Sequence, residues 1–168
     1  SEEQLKQDQF VAERDSLEIE CVQGDMSDLS CFEDESFDLI VHPCSNGFVP
    51  NIRPVWQEAT RVLRHGGQLV AGFTKPVFYL FDQKKIEDGK LVVKNSIPYS
   101  ELTGISKSEK AKYIAEQQPL CFGHSLGDQI GGQIAAGLRI IGYYEDNWEA
   151  YAVGRYIADM AATRAVKP

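Results

Sequence analysis

Apolar residues along the chain fall into two alternating rhythms, one with helical spacing and one with the spacing of strands. Residues 1–15 carry Leu5, Phe10 and Val11 as an incomplete helical stripe, and Ser1 with Gln4 forms a capping box. In the following LEIECVQGDM, Leu17, Ile19 and Cys21 alternate with Glu18 and Glu20. This alternation predicts a strand over 17–23, near a sheet edge and wet on one face. Residues 37–42 (FDLIVH) run almost uninterrupted in apolar character between the acidic 33–35 and Pro43, the mark of a strand covered on both faces. Residues 54–64 place Val55, Ala59, Val62 and Leu63 on one helical face and end at Gly66-Gly67, a helix-stopping pair. Residues 68–73 (QLVAGF) read as a second buried strand.

The pattern then changes. Asp88-Gly89 lies between two alternating runs within 78–97, a hairpin signal, and 99–122 is polar with little periodicity. Helical spacing resumes over 124–136, weakened by Gly127, Gly131 and Gly132. Residues 138–144 and 160–166 are two further strand candidates. The order predicts a layered α/β domain built on a mostly parallel sheet.

Composition narrows the class. The 168 residues are 43% hydrophobic and 25% charged, as expected of one globular domain with a sizeable core. A net charge of −8 disfavours a polyanionic partner, because nucleic-acid affinity comes from neutralising phosphates. No apolar run approaches the roughly 20 residues of a membrane helix, and the charged N-terminal segment has no secretory apolar core. The expectation is therefore no membrane and no nucleic acid. The four cysteines (Cys21, Cys31, Cys44 and Cys121) form no CxxC pair, which leaves zinc-ribbon and redox motifs unsupported and makes the cytoplasm the expected compartment.

Candidate chemistry gathers where strands end. In open α/β sheets, ligands bind beyond the carboxyl ends of the strands. Three such ends are legible: Gly24-Asp25-Met26, the run 42–46 (HPCSN), and Gly72-Phe73-Thr74. Asp25 can accept a hydrogen bond from an exocyclic amine, or simply serve the turn. Met26 offers a soft apolar surface to a flat ring. His42 has the ordinary titration range of a general base, or it hydrogen-bonds to backbone at a loop start. His124 opens the late helix and either faces the same cleft or caps; His65, beside Gly66, reads as structural. Cys44 lies too close to His42 in sequence for nucleophile–base geometry, and no orienting third group is evident. The long segment 76–122 reads as a substrate cover whose aromatics Phe78, Tyr79, Phe81, Tyr99 and Tyr113 either wall a pocket or pack among themselves. Trp56 reads as packing, and Trp148 as a lid or interface residue.

In their order, GDM, FDLIVHP and VLRHGG leading into QLVAG resemble the class I S-adenosylmethionine-dependent methyltransferases. HSLGDQIGGQIAAGLRIIGYYED and ATRAVK resemble the late helix and strands of that family. The resemblance implies a Rossmann-like three-layer sandwich, mostly parallel with a late antiparallel strand, and incomplete at the N-terminus. Residues 1–168 would be a partial methyltransferase domain, with 76–122 its insertion. It implies S-adenosyl-L-methionine as cofactor, Asp25 accepting from the adenine amino group and Met26 lying against the ring. His42, Pro43, Cys44 and Ser45 would flank the methionine part and face the substrate, with His42 as base. A small-molecule substrate would meet Ser45, Tyr79, Tyr99 and His124, and no metal is required. The sequence departs from the family in having neither the GxGxG loop nor the acidic residue after the second strand. Impaired cofactor binding is therefore expected, along with unpaired edges at 17–23 and 37–42. A companion segment, direct pairing of those two strands, or exchange in a homodimer would satisfy the edges. The alternative function is a non-catalytic domain that dimerises or binds a protein partner through those edges.

Overall fold

A computed structural model describes residues 2–116 and 118–168. In chain order it contains α1 (Glu2–Asp15), β1 (Phe37–Pro43), a 3-10 turn (Ser45–Phe48), α2 (Arg53–Val62) and β2 (Leu63–Thr74). Next come α3 (Pro76–Tyr79), α4 (Gln83–Glu87), β3 (Tyr99–Ser100), α5 (Glu101–Gly104), α6 (Lys107–Ala115) and β4 (Phe122–Gly123). The chain closes with α7 (Leu126–Ala135), β5 (Arg139–Asp146) and β6 (Met160–Val166).

The main sheet has the order β1-β2-β6-β5. β1 and β2 pair in parallel, and β6 pairs antiparallel with both β2 and β5. Three strands thus run one way and β6 alone runs against them, the mixed sheet expected of this fold class. α2 and α7 cover one face. Alternate residues on that face are buried: Leu69, Ala71 and Phe73 of β2, with Ala161, Thr163 and Ala165 of β6. Trp56 of α2 is 0% exposed and anchors the core with Ile52, Val55, Leu63 and Leu138; Met26 and Ile40 pack against its edge. α7 begins at Ser125, whose side chain accepts from the Asp128 N–H, an N-cap with an acid in the first turn. A Cβ on Gly132 would lie 2.7 Å from the Trp56 indole, so glycine at this helical position lets α7 reach α2. The residue that weakens the helix by propensity is what allows the two helices to pack.

Several expectations are corrected. Residues 17–24 form no strand; Leu17, Ile19 and Val22 are exposed, and the segment finds no pairing partner among the described residues. Alternation alone cannot make a strand without a neighbour to take its backbone groups. For the same reason 17–23 and 37–42 do not pair with one another. β1 forms where expected but is not covered on both faces: Leu39 is 56% and Val41 63% exposed on the side away from α2. α2 stops at Val62, ahead of the glycines, and Gly66 (φ 78°) instead turns the leading arm of β2, its N–H donating to the Lys167 carbonyl. His65 accordingly sits on that arm beside Glu35 rather than at a helix end.

The Asp88-Gly89 pair makes no hairpin. Gly89 (φ 76°) ends α4, and the N–H groups of Gly89 and Lys90 return to the carbonyls of Ile86 and Lys85. An isolated Phe81–Val93 bridge still brings the flanking runs together. The polar stretch 99–122 contains β3, α5, α6 and β4, with β3 and β4 pairing as a small second sheet. In α1, Phe10 and Val11 are exposed and Ala12 is buried; Ser1 of the expected capping box lies outside the described residues. Among the described residues, no helix is long and apolar enough to cross a membrane.

Candidate active site

The carboxyl ends of β1 and β2 lie side by side because the strands are parallel, with Pro43 opposite Gly72. Cys44 turns the chain off β1 in a left-handed conformation (φ 54°), its N–H donating to the Gly72 carbonyl at 3.0 Å. The 3-10 turn Ser45–Phe48 then carries the chain over the strand ends.

Beyond them is a cavity of about 410 Å³. The main sheet contributes Pro43, Thr74 and Met160, Cys44 joins them ahead of the 3-10 turn that adds Phe48, and the 76–122 segment contributes Phe78, Tyr79 and Cys121. The link between β5 and β6 closes it with Trp148, Tyr151 and Asp159. The aromatic rings hold each other edge to face: Phe78 on Tyr151 at 5.3 Å, Trp148 on Tyr151 at 5.3 Å, and Phe78 on Tyr79 at 5.6 Å. Tyr99 stacks behind Tyr79 at 5.8 Å. The aromatics of the 76–122 segment therefore divide between the two roles open at the sequence level, Phe78 and Tyr79 lining the cavity and Tyr99 backing them.

The cavity's phenol and thiols are held protonated. Burial pushes Tyr79 up to about 12 and Cys121 up to about 11, and raises Cys44 above the ordinary thiol range. A thiolate nucleophile is therefore disfavoured at neutral pH. Behind Tyr79, burial also raises the Glu101 carboxyl, which accepts from the Cys121 N–H at 2.6 Å.

His42 does not line this cavity. It shares the helix-covered face of β1 with Ile40, its ring edge to face with Trp56 at 5.5 Å and its Nε2 buried without a hydrogen bond. Burial pulls the imidazole below its ordinary pKa, with the Asn46 side chain opposing more weakly. Strand alternation, which the sequence displayed, assigns His42 to the packed layer once the covered face is known. His124 is not the cap of α7, since Ser125 has that role; it is buried, its Nε2 3.0 Å from the Asn46 carbonyl oxygen. Asn46 in turn donates to Gln129 at 2.5 Å, and Thr163 donates to Gln133 at 2.9 Å, so a chain of buried polar groups runs behind the strand ends. Ser45 lies in the 3-10 turn, its hydroxyl 3.4 Å from the Pro43 carbonyl oxygen, and does not line the cavity.

Asp25 and Met26 belong to a turn fixed to α2. One Asp25 oxygen accepts from the Ser27 N–H at 2.8 Å and hydroxyl at 2.7 Å; the other takes no hydrogen bond from the described residues, and the side chain is exposed. Met26 is half-buried against the core. Downstream, Glu58 accepts from the Leu29 N–H at 2.8 Å, and Arg61 donates to the carbonyls of Leu29 at 2.8 Å and Phe32 at 3.0 Å. This anchoring pair was missed at the sequence level, as were Asp159 and Tyr151. Only the position of Asp159 just ahead of an apolar strand could have hinted at it. Among the described residues, no cluster of three or more His, Cys, Asp or Glu side chains is arranged to hold a metal ion.

Comparison with known proteins accords with this geometry. A family model described as a methyltransferase domain matches residues 1–71. The Bacillus subtilis (strain 168) protein named "Uncharacterized methyltransferase YbaJ" is 51% identical over 167 residues; the match covers 99% of this chain and 65% of that protein. This chain thus spans somewhat less than two thirds of that relative's length. In fold, it is similar to an S-adenosylmethionine-dependent methyltransferase from Mesorhizobium loti (TM-score 0.63, 14% identity, 86% of this chain and 68% of that one). It is also similar to the PH0226 protein from Pyrococcus horikoshii OT3 (TM-score 0.62, 18% identity, 100% of this chain and 68% of that one). The chain thus matches a methyltransferase-domain family over residues 1–71 and shares the fold of S-adenosylmethionine-dependent methyltransferases.

Proposed function

We propose that the chain is the substrate-side part of a methyltransferase that uses S-adenosyl-L-methionine to methylate a small molecule. The observation that carries this reading is the aromatic cavity of about 410 Å³ at the carboxyl ends of the two parallel strands, a size suited to a small ligand. The net charge of −8 speaks against a nucleic-acid substrate, and four free cysteines suit the cytoplasm.

The residues present fit the adenosyl end of the cofactor in part. The exposed Asp25 carboxylate keeps one oxygen open to a donor such as an adenine amine, and Met26 beside it offers an apolar surface. Pro43 and Cys44 at the cavity rim are placed for the methionine part. The bound cofactor supplies a methyl group already activated for displacement. What remains for the chain is alignment and exclusion of water, which Phe48, Phe78, Tyr79, Trp148 and Tyr151 provide as walls. The neutral thiols and phenol fit this division of labour, because no protein nucleophile is needed. We assign His42 to positioning rather than proton transfer, because its ring supports the end of β1 from the Trp56 side. The sequence lacks the glycine-rich loop and the ribose-binding acid, so these 168 residues bind cofactor weakly by themselves.

Titrating S-adenosylhomocysteine into the chain while following the methyl signal of Met26 tests the reading. A saturable shift at high ligand concentration supports it; no shift at millimolar ligand overturns it. Micromolar affinity would overturn the weak-binding part alone.

A second reading, association with a copy of the chain or a protein partner through the sheet edge, is favoured by β1. Its outer edge is unpaired among the described residues, and Leu39 and Val41 are exposed beside it. Sedimentation as a monomer at high concentration would reject the homodimer.

A further inference from the structure

The cavity contains one polar feature that its aromatic walls do not explain. Asp159 is 1% exposed and lines the cavity just ahead of β6. One carboxylate oxygen accepts from the Trp148 N–H at 2.8 Å, which fixes the side chain; the other is buried and has no hydrogen-bond partner among the described residues. Leaving such an oxygen unpaired in an apolar setting is costly. The nearby cation does not relieve it. Lys75 donates its backbone N–H to the Asp159 carbonyl, but its ammonium is committed to Glu145 at 2.5 Å.

Around this carboxylate stand the rings of Phe48, Phe78, Tyr79, Trp148 and Tyr151. Aromatic faces carry negative quadrupole density and attract cations. Trp148 serves twice, with its backbone on Asp159 and its ring on Tyr151. An orphaned carboxylate oxygen in an aromatic-lined cavity favours one partner: a positive charge that can also donate a hydrogen bond. An anionic ligand would meet an unpaired carboxylate, and a neutral apolar one would leave the oxygen unsatisfied.

We propose that the cavity binds a small substrate through a protonated amine, with the N–H directed to Asp159 and the cationic nitrogen set among the aromatic rings. The inference rests on the methyltransferase reading and adds to it the chemical class of the substrate.

Three probes of one size separate the possibilities: benzylammonium, benzyl alcohol and benzoate, each titrated into the wild-type chain at neutral pH. The chain's two methionines report on different places, Met160 in the cavity and Met26 in the turn assigned to the adenosyl group. Benzylammonium is expected to shift the Met160 methyl signal with at least about tenfold tighter binding than benzyl alcohol, and benzoate is expected not to bind. Asp159→Asn, which retains the oxygen facing the Trp148 N–H, should remove most of that preference. Equal binding of the amine and the alcohol, preference for benzoate, or no binding of the amine to the folded wild-type chain would overturn the proposal. Because the comparison among probes uses the wild-type chain, it stands even if the variant fails to fold. S-adenosylhomocysteine shifting Met26 while benzylammonium leaves Met160 unmoved would sink the amine class and keep the methyltransferase reading. The reverse pattern would keep the cationic site and sink that reading.

Discussion

The helix-covered face of the sheet and the cavity at its strand ends both place polar groups among apolar ones, but they use them differently. Behind the sheet, most of the polar groups are spent on the protein itself: Asn46 on Gln129, Gln133 on the Gln129 carbonyl, Thr163 on Gln133, and the Asn46 carbonyl on His124. At the cavity, Asp159 keeps an oxygen to spare. Polar groups consumed within the fold hold the strand ends in place, whereas a polar group left over in a cavity is available to a ligand. His42 lies on the packed side by position, although its Nε2, like the Asn46 Oδ1, is buried without a partner among the described residues.

The sharpest way to break the comparison is to empty the packed side. Trp56→Ala removes a fully buried indole and its hydrogen bond to the Asp128 carbonyl; about 3–5 kcal/mol of stability should be lost in urea denaturation. A loss below about 1 kcal/mol would show that the covered face is not the stability core. Thr163→Val keeps the shape but leaves Gln133 Oε1 without its donor, for an expected loss of about 1–3 kcal/mol with the cavity's amine binding unchanged. Were binding lost as well, the two regions would not be independent.

Smaller effects refine the boundary. The folded state lowers the His42 pKa from 6.5, so the unfolded chain takes up that proton first on acidification. Stability should therefore be level at pH values above the ordinary histidine range and fall as pH drops through about 6.5 toward the folded-state value. His42→Phe should flatten that slope, while an unchanged slope would place the titration elsewhere. Arg61→Ala should speed amide exchange at Leu29 and neighbouring residues of the anchored turn without loosening β2. The least effect is expected at the thiols. Cys121, half-buried and pushed up to about 11 by burial, should react with a disulfide reagent more slowly than exposed Cys31 at neutral pH.

Much of the fold was legible in the chain. Periodicity located α2, β2, α7, β5 and β6 to within a few residues, because amphipathic spacing records which side must be buried. Glycine was the main source of error. At Asp88-Gly89 a left-handed residue fitted both a hairpin and a helix end, and local chemistry could not choose between them. At 17–24 the alternation was genuine, but a strand also needs a neighbour, and none is present among the described residues.

The site divided in the same way. The run HPC was recognisable as the end of a strand, and parallel pairing sets it beside the end of β2, whereas GDM, read as a second strand end, closes a turn held to α2 instead. The sequence by itself determined most of the sheet's strands, their helical cover and the methyltransferase resemblance, since each depends on spacing within short segments. Only the tertiary structure decided that His42 turns toward Trp56 and that Asp159 meets Phe78 and Tyr79 across one cavity. Those contacts join residues far apart in the chain, and nothing in local propensity encodes which distant surfaces will face each other.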